Sequence, residues 1–204
     1  MASKSELAKT RREQILEAST SVFARLGVYK AWMDDIVKEV GLSKGAVYWY
    51  FKSKDEILKS ILELFINREL HGLHELVERD GSVEERLMLM AEYMITDLER
   101  YAELMPIAYE FYALSTRESD IRKSFNFFFQ RFIQIFEKLI IQGINQGKIK
   151  HVDPNETAVA IVGLLEGLTL LWIVGALNID IGKLGSLLQT SLSQYFHGIQ
   201  AEVD

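Results

Sequence analysis

The chain has 204 residues, no cysteine and two prolines, and 49% of it is apolar, which excludes disulfide and thiolate chemistry and allows a sizeable buried core. Its net charge of −6 is unevenly spread: residues 1 to 60 carry 11 Lys or Arg against 8 Asp or Glu, and the remainder carries 12 against 21. The N-terminal part is therefore the basic one, a balance suited to a polyanionic partner at that end only.

The opening stretch MASKSELAKTRREQ is charged and lacks an apolar run, so a secretory signal is not expected. Residues 7 to 26 read as an amphipathic helix, with Ile15, Ala18, Val22 and Leu26 at helical spacing and Leu7, Leu16 and Phe23 widening the stripe. Gly27 ends it as a C-cap. Residues 33 to 40, MDDIVKEV, make a short second helix with Asp34 and Asp35 in its first turn, where the dipole favours acids. Gly41 stops that helix. Ser43 can then cap a third one, and Ser53 a fourth that runs to about Arg79.

Two short helices joined by a Gly-containing turn form a helix-turn-helix, whose second helix enters the DNA major groove. That second helix is the stretch SKGAVYWYF, residues 43 to 51. Its three consecutive aromatics cannot all face one core, because helical neighbours point about 100° apart. Val47 and Phe51 lie one turn apart and are expected inward. Tyr48, Trp49 and Tyr50 then supply hydroxyl and indole donors for phosphate oxygens, which position a protein without reading sequence. Gly45 allows close backbone approach. Ser43, Lys44 and Lys54 sit at helix N-termini, where a phosphate is favoured. Base reading falls to Lys44, Gly45, Ala46 and Trp49.

Downstream, residues 83–101, 103–115, 118–146, 154–177 and 183–198 read as further helices, so the chain is expected to be all-α. The segment 158 to 177 is apolar enough to suggest a membrane span, but Glu166 sits at its centre, at a cost of roughly 2.5–3.5 kcal/mol. A buried core helix or a subunit interface is the expected setting, and no membrane partner is expected. His71 and His74 lie three apart, too few imidazoles for a catalytic zinc site. The glycines form no phosphate-binding loop. No catalytic residue, metal or cofactor is expected.

The segments RREQILEASTSVFARLGV and MDDIVKEVGLSKGAVYWYFKSKDEIL resemble the tetracycline-repressor (TetR) family of bacterial transcriptional regulators. Gly41, Gly45, Tyr48, Phe51 and Lys54 fall in register with it. The resemblance implies a DNA-binding domain at 1–54 and a helical ligand-binding and dimerisation domain at 55–204, in a cytoplasmic, non-enzymatic repressor. Three positions depart from the pattern. Trp32 stands where Ser or Thr usually caps the second helix and touches a phosphate, Val37 where Ala is common, and Ala46 where Thr is common. Trp32 is left between phosphate contact and packing.

The resemblance further implies a homodimer on a near-palindromic operator, released by a small ligand. Gly163 and Gly167, four apart on an apolar helix, allow close helix approach and are the expected dimer interface. Met90, Met94, Met105, Tyr109, Tyr112, Phe125, Phe128, Phe129, Phe132 and Trp172 cluster in the middle and late helices and are candidate lining for an apolar or aromatic ligand. Glu110 and Glu166 lie inside apolar runs and could meet a cationic group or a partner across the dimer. The alternatives are a helical small-molecule carrier and a non-specific DNA-binding protein.

Overall fold

Helix propensity and apolar spacing of about 3.6 residues decide the architecture of this chain, seen here in a computed structural model that describes residues 4–100 and 105–201. The helices are α1 (Lys4–Leu26), α2 (Met33–Val40), α3 (Lys44–Tyr50), α4 (Lys54–Val77), α5 (Val83–Arg100), α6 (Met105–Ser115), α7 (Ser119–Asn145), α8 (Pro154–Ile173) and α9 (Ile181–Ile199). Among the described residues there is no strand, only an isolated antiparallel bridge between Ile149 and Gln200. The all-α class is as expected.

Two compact units divide the chain. The first comprises Met1–Asn67 and Glu103–Phe125, the second Arg68–Ala102 and Asn126–Asp204. Helices α4 and α7 contribute to both, and α6 belongs with the N-terminal residues. In sequence, the expected division after residue 54 falls at the first residue of α4.

In the first unit, Ile15, Leu16, Val22 and Phe23 of α1 bury one face together with Ile36, Val47, Phe51, Ile57, Leu58 and Leu62. Leu26, expected in that stripe, is exposed instead, because α1 ends there and Gly27 turns the backbone at φ +76°. Ser19 is buried mid-helix and donates to the Ile15 carbonyl at 2.6 Å, so its hydroxyl is satisfied within its own helix. Lys59 and Asp120 pair at 2.8 Å between α4 and α7.

In the second unit, α5 packs on α9 and α9 on α8. Buried Leu87, Met90, Phe132, Phe136, Leu139, Ile140, Ile161, Leu165, Leu188 and Leu192 make its core. At the edge of this core two buried carboxyl groups meet two part-exposed arginines. Arg68 Nη2 stands 3.3 Å from Glu69 Oε1 and 3.0 Å from Asp97 Oδ2, and Arg100 reaches Asp97 at 3.9 Å. Burial pushes the Glu69 carboxyl up to about 8; Asp97 beside it adds to the rise and Arg68 opposes it.

Close packing on α9 gives a test of stability. A Cβ built on Gly185 would come within 2.8 Å of the branch methyl Cγ2 of Ile95. Gly185→Ala gains about 1 kcal/mol of helix propensity, but overpacking a filled site costs about 1–3 kcal/mol. Net destabilisation is expected in urea unfolding, with recovery in the Gly185→Ala, Ile95→Leu double variant, because leucine has no methyl branch at Cβ. A stabilised Gly185→Ala would mean that this seam is loose.

Helix α8 ends at Ile173, four residues short of expectation. Gly175 takes φ +72°, and the Trp172 indole donates to the Ile179 carbonyl at 3.0 Å, drawing the chain back towards α9. By length and composition α8 is the one helix among the described residues that could cross a membrane. The same helix buries Ala158, Ile161, Val162 and Leu165 in the second unit.

Candidate nucleic-acid interface

The helix-turn-helix assembles through short-range signals. Asp35 in the first turn of α2 accepts the Trp32 N–H at 2.9 Å, while the indole makes no capping bond. One half of a capping box is thus kept without a hydroxyl at the N-cap. Gly41 closes α2 in the left-handed region at φ +69°, where a side chain would be strained. Ser43 then caps α3, its Oγ accepting the Ala46 N–H at 3.2 Å. At the other end, Lys52 Nζ donates to the carbonyls of Tyr48 at 2.7 Å and Trp49 at 3.3 Å, which suits a cation at a helix C-terminus.

Val47 and Phe51 are fully buried and fasten α3 to its unit. Each such side chain contributes roughly 1.5–3 kcal/mol. Arg12 stacks over the Phe51 ring at 4.9 Å and donates to Ser60 Oγ at 2.7 Å. With that anchor set, the other face of α3 is open. Trp49 is 67% exposed and meets Tyr50 edge-on at 4.6 Å. Tyr48 and Ala46 are half-exposed, and a Cβ built on Gly45 would touch nothing within 4 Å.

Lys44 opens α3 and pairs with Asp34 of α2 at 2.7 Å, a contact that raises the lysine's pKa. Its ammonium also lies 5.9 Å from the Tyr48 ring centre. The Asp34 pair brings the first turns of α2 and α3 side by side. Trp32, at the start of α2, is 74% exposed, so of the two settings left open for it, packing is overturned: no core is formed around the indole.

Lys54 has intrachain partners that its place at the start of α4 did not suggest. Its Nζ donates to the carbonyls of Val28 at 2.7 Å and Ala31 at 3.0 Å, in the turn between α1 and α2. The turn's carbonyls lack helical partners and attract the ammonium. Tyr29, in the same turn, is 92% exposed and was not among the expected contacts. Lying between helices, it belongs to no periodic stripe. The signal available was composition, since GVYKAW places two large aromatics around a lysine in a turn.

The candidate ligand-pocket residues are divided between the units. Glu110, Tyr112 and Phe125 belong to the first, where the Tyr112 and Phe125 rings lie 4.9 Å apart and Glu110 Oε1 accepts the Val28 N–H at 3.0 Å. Glu110 thus has an intrachain partner where a ligand or a second subunit had been considered. Met105 and Tyr109 are in α6, but their side chains lie outside those described. Met90, Met94, Phe128, Phe129, Phe132, Glu166 and Trp172 belong to the second unit. There Phe128 stacks on Phe132 at 5.5 Å and meets Phe129 at 5.1 Å. Met90 and Phe132 are fully buried, Met94, Phe129, Glu166 and Trp172 partly so.

An open groove of about 620 Å³ on the second unit is lined by none of these but by residues that include Arg79, Asp80, Glu84, Met88 and Gln189. No group of three potential metal ligands occurs among the described residues. The glycines of α8 are open: a Cβ on Gly163 or Gly167 would meet nothing within 4 Å, and Val159, Leu170, Leu171 and Val174 are exposed on the same helix and at its C-cap.

Residues 15–61 match the family described as bacterial regulatory proteins, tetR family, and residues 83–197 match the C-terminal domain of BetI-type transcriptional repressors. The chain belongs to the TetR family. It is 31% identical to the HTH-type transcriptional regulator YfiR of Bacillus subtilis (strain 168) over 148 residues, which is 72% of each chain. As a TetR-family member it is a transcriptional regulator and not an enzyme. Two solved structures share the fold. A transcriptional regulator from Saccharomonospora viridis in complex with choline has a TM-score of 0.83 at 22% identity, covering 95% of this chain and 100% of its own. The regulator FadR from Bacillus subtilis in complex with stearoyl-CoA has a TM-score of 0.75 at 24% identity, covering 92% and 98%.

Proposed function

We propose that this TetR-family regulator is a cytoplasmic repressor that binds a near-palindromic operator as a homodimer and leaves it when a small apolar or aromatic molecule binds the C-terminal helices. One observation carries the reading: α3 is held by buried Val47 and Phe51 while Lys44, Gly45, Tyr48 and Trp49 face outward together. A short helix with an apolar anchor and an aromatic, basic outer face suits a major groove. Trp32 and Tyr29 extend that face along the flanking backbone, with Ser43, Ala46 and Tyr50 supporting it.

The open face of α8 supports the dimer. Exposed apolar side chains around two bare glycines are what a second copy of α8 would cover, and a two-fold reader matches two half-sites one helical turn apart. The phenylalanines of α7 support an apolar ligand, as does the kinship in fold with regulators that hold choline and stearoyl-CoA. Both of those ligands have an apolar or quaternary-ammonium part that an aromatic lining accommodates.

Selection of genomic fragments by the purified protein, followed by sequencing, tests the operator. Recovery of a palindrome with half-sites about 10 base pairs apart is the expected result; recovery of only salt-sensitive, sequence-independent DNA would leave a non-specific binder. On the recovered site, Lys44→Ala is expected to weaken binding uniformly across sequence variants and to reduce the salt slope by about one. Fluorescence anisotropy at three salt concentrations measures it, and an unchanged slope would remove Lys44 from the phosphate contacts.

A further inference from the structure

The turn between α1 and α2 is gripped by two charged side chains from distant parts of the chain. The Val28 N–H follows the end of α1 and has no helical acceptor; Val28 itself is buried, so its N–H needs a partner inside the protein. That partner is Glu110 Oε1 of α6, 82 residues away, at 3.0 Å. The carbonyl of the same residue accepts from Lys54 Nζ at 2.7 Å, and Ala31 accepts from the same ammonium at 3.0 Å. Gly27 leaves room for this grip: a Cβ there would stand 3.3 Å from Glu110 Oε1.

We propose that Glu110 and Lys54 are positioning residues for operator binding, a clamp on Val28 that sets the start of α2, with Lys54 holding the turn's carbonyls. The inference rests on the operator reading given above. Its geometry is a continuous path. Ala31 immediately precedes Trp32, the N-cap of α2, and Asp34 in the first turn of α2 pairs with Lys44 of α3 at 2.7 Å. The position of the turn is therefore passed to both helices of the DNA-reading motif. An ammonium has three donors, and two of those on Lys54 are already committed to the turn. Both sides of the clamp are charge-assisted hydrogen bonds, about twice as strong as neutral ones. Because α6 belongs to the segment matched by the BetI-type C-terminal family, the clamp also joins that segment to the helix-turn-helix.

The test uses the full-length protein and its selected operator. Lys54→Met and Glu110→Ala are each expected to lower affinity about tenfold, with the salt slope unchanged in Glu110→Ala and unfolding midpoints recorded as controls. Glu110→Gln keeps an acceptor oxygen and is expected to stay within about threefold of wild type. The double variant should be no weaker than the weaker single one, since both act through one turn. Hydrogen exchange at the Val28 amide, measured without DNA, should be faster in Glu110→Ala. Three results would overturn the proposal: a salt slope lowered by about one in Lys54→Met beside normal binding by Glu110→Ala, affinities unchanged in both, or unaltered exchange at Val28. A wild-type protein that selects no operator would defeat the operator reading, while the exchange measurement still decides whether the clamp exists.

Discussion

Gly163→Phe is expected to turn the proposed dimer into a monomer and to weaken operator binding about a hundredfold or more, because the second half-site is then no longer held at high effective concentration. Among the described residues nothing lies within 4 Å of a Cβ at Gly163, and Gly163 is exposed, so the new ring can turn towards solvent in its own subunit. Replacing glycine inside a helix also raises local helix propensity by roughly 0.5–1 kcal/mol. The unfolding midpoint of the isolated subunit should therefore hold or rise while DNA binding collapses. Sedimentation equilibrium and operator titration on the same sample check both halves. A variant that stays dimeric and binds DNA normally would move the two-fold contact away from this face of α8.

The second large effect concerns pH. Glu69 and Asp97 share one guanidinium at the edge of the core of the second unit, and burial with the neighbouring carboxylate lifts Glu69 to about 8 from an ordinary 4.5. The folded state therefore holds a proton that the unfolded chain releases above pH 4.5. Folding takes up that proton between the two values, and stability must fall as pH rises through the window. The expected slope is about 1 kcal/mol per pH unit from pH 5 to 8. Glu69→Gln, which cannot ionise, should flatten this dependence and overtake the wild type in stability near pH 8. Urea unfolding at pH 5, 6.5 and 8 measures it. Parallel curves for the two proteins would show that Glu69 does not carry the proton.

Features fixed by neighbouring residues were legible in the sequence. Ser43 and Ser53 cap where they were expected to, Asp153 before Pro154 caps α8, and Gly41 turns the chain out of α2, because each acts on a backbone group within four residues of itself. The inward anchors Val47 and Phe51 followed from one turn of helical spacing. Features that depend on distant partners were not legible. An acidic residue in an apolar run, such as Glu110, signals a need for a partner without saying which; here it is a main-chain N–H, and a main chain leaves no trace in side-chain patterns. Lys54 occupies its expected place at the start of α4, yet its ammonium turns to carbonyls that only the fold brings near. The grouping of α6 with the N-terminal residues is likewise a tertiary fact. Aromatic and methionine clustering named pocket candidates by type alone, and the same residue types also fill cores, as Met90 and Phe132 do.

The three tryptophans are placed as built-in optical probes. Trp32 and Trp49 stand in water on the helix-turn-helix, whereas Trp172 is half-buried with its indole N–H bonded to the Ile179 carbonyl. An indole in water emits further to the red than one in a protein interior, so the two environments separate by wavelength. Loss of the red component would report a nucleic acid covering α3, and a change confined to the blue component would report events around the end of α8. The unlabelled protein thus carries a two-colour record of its own occupancy, and phenylalanine at each tryptophan in turn would assign the colours.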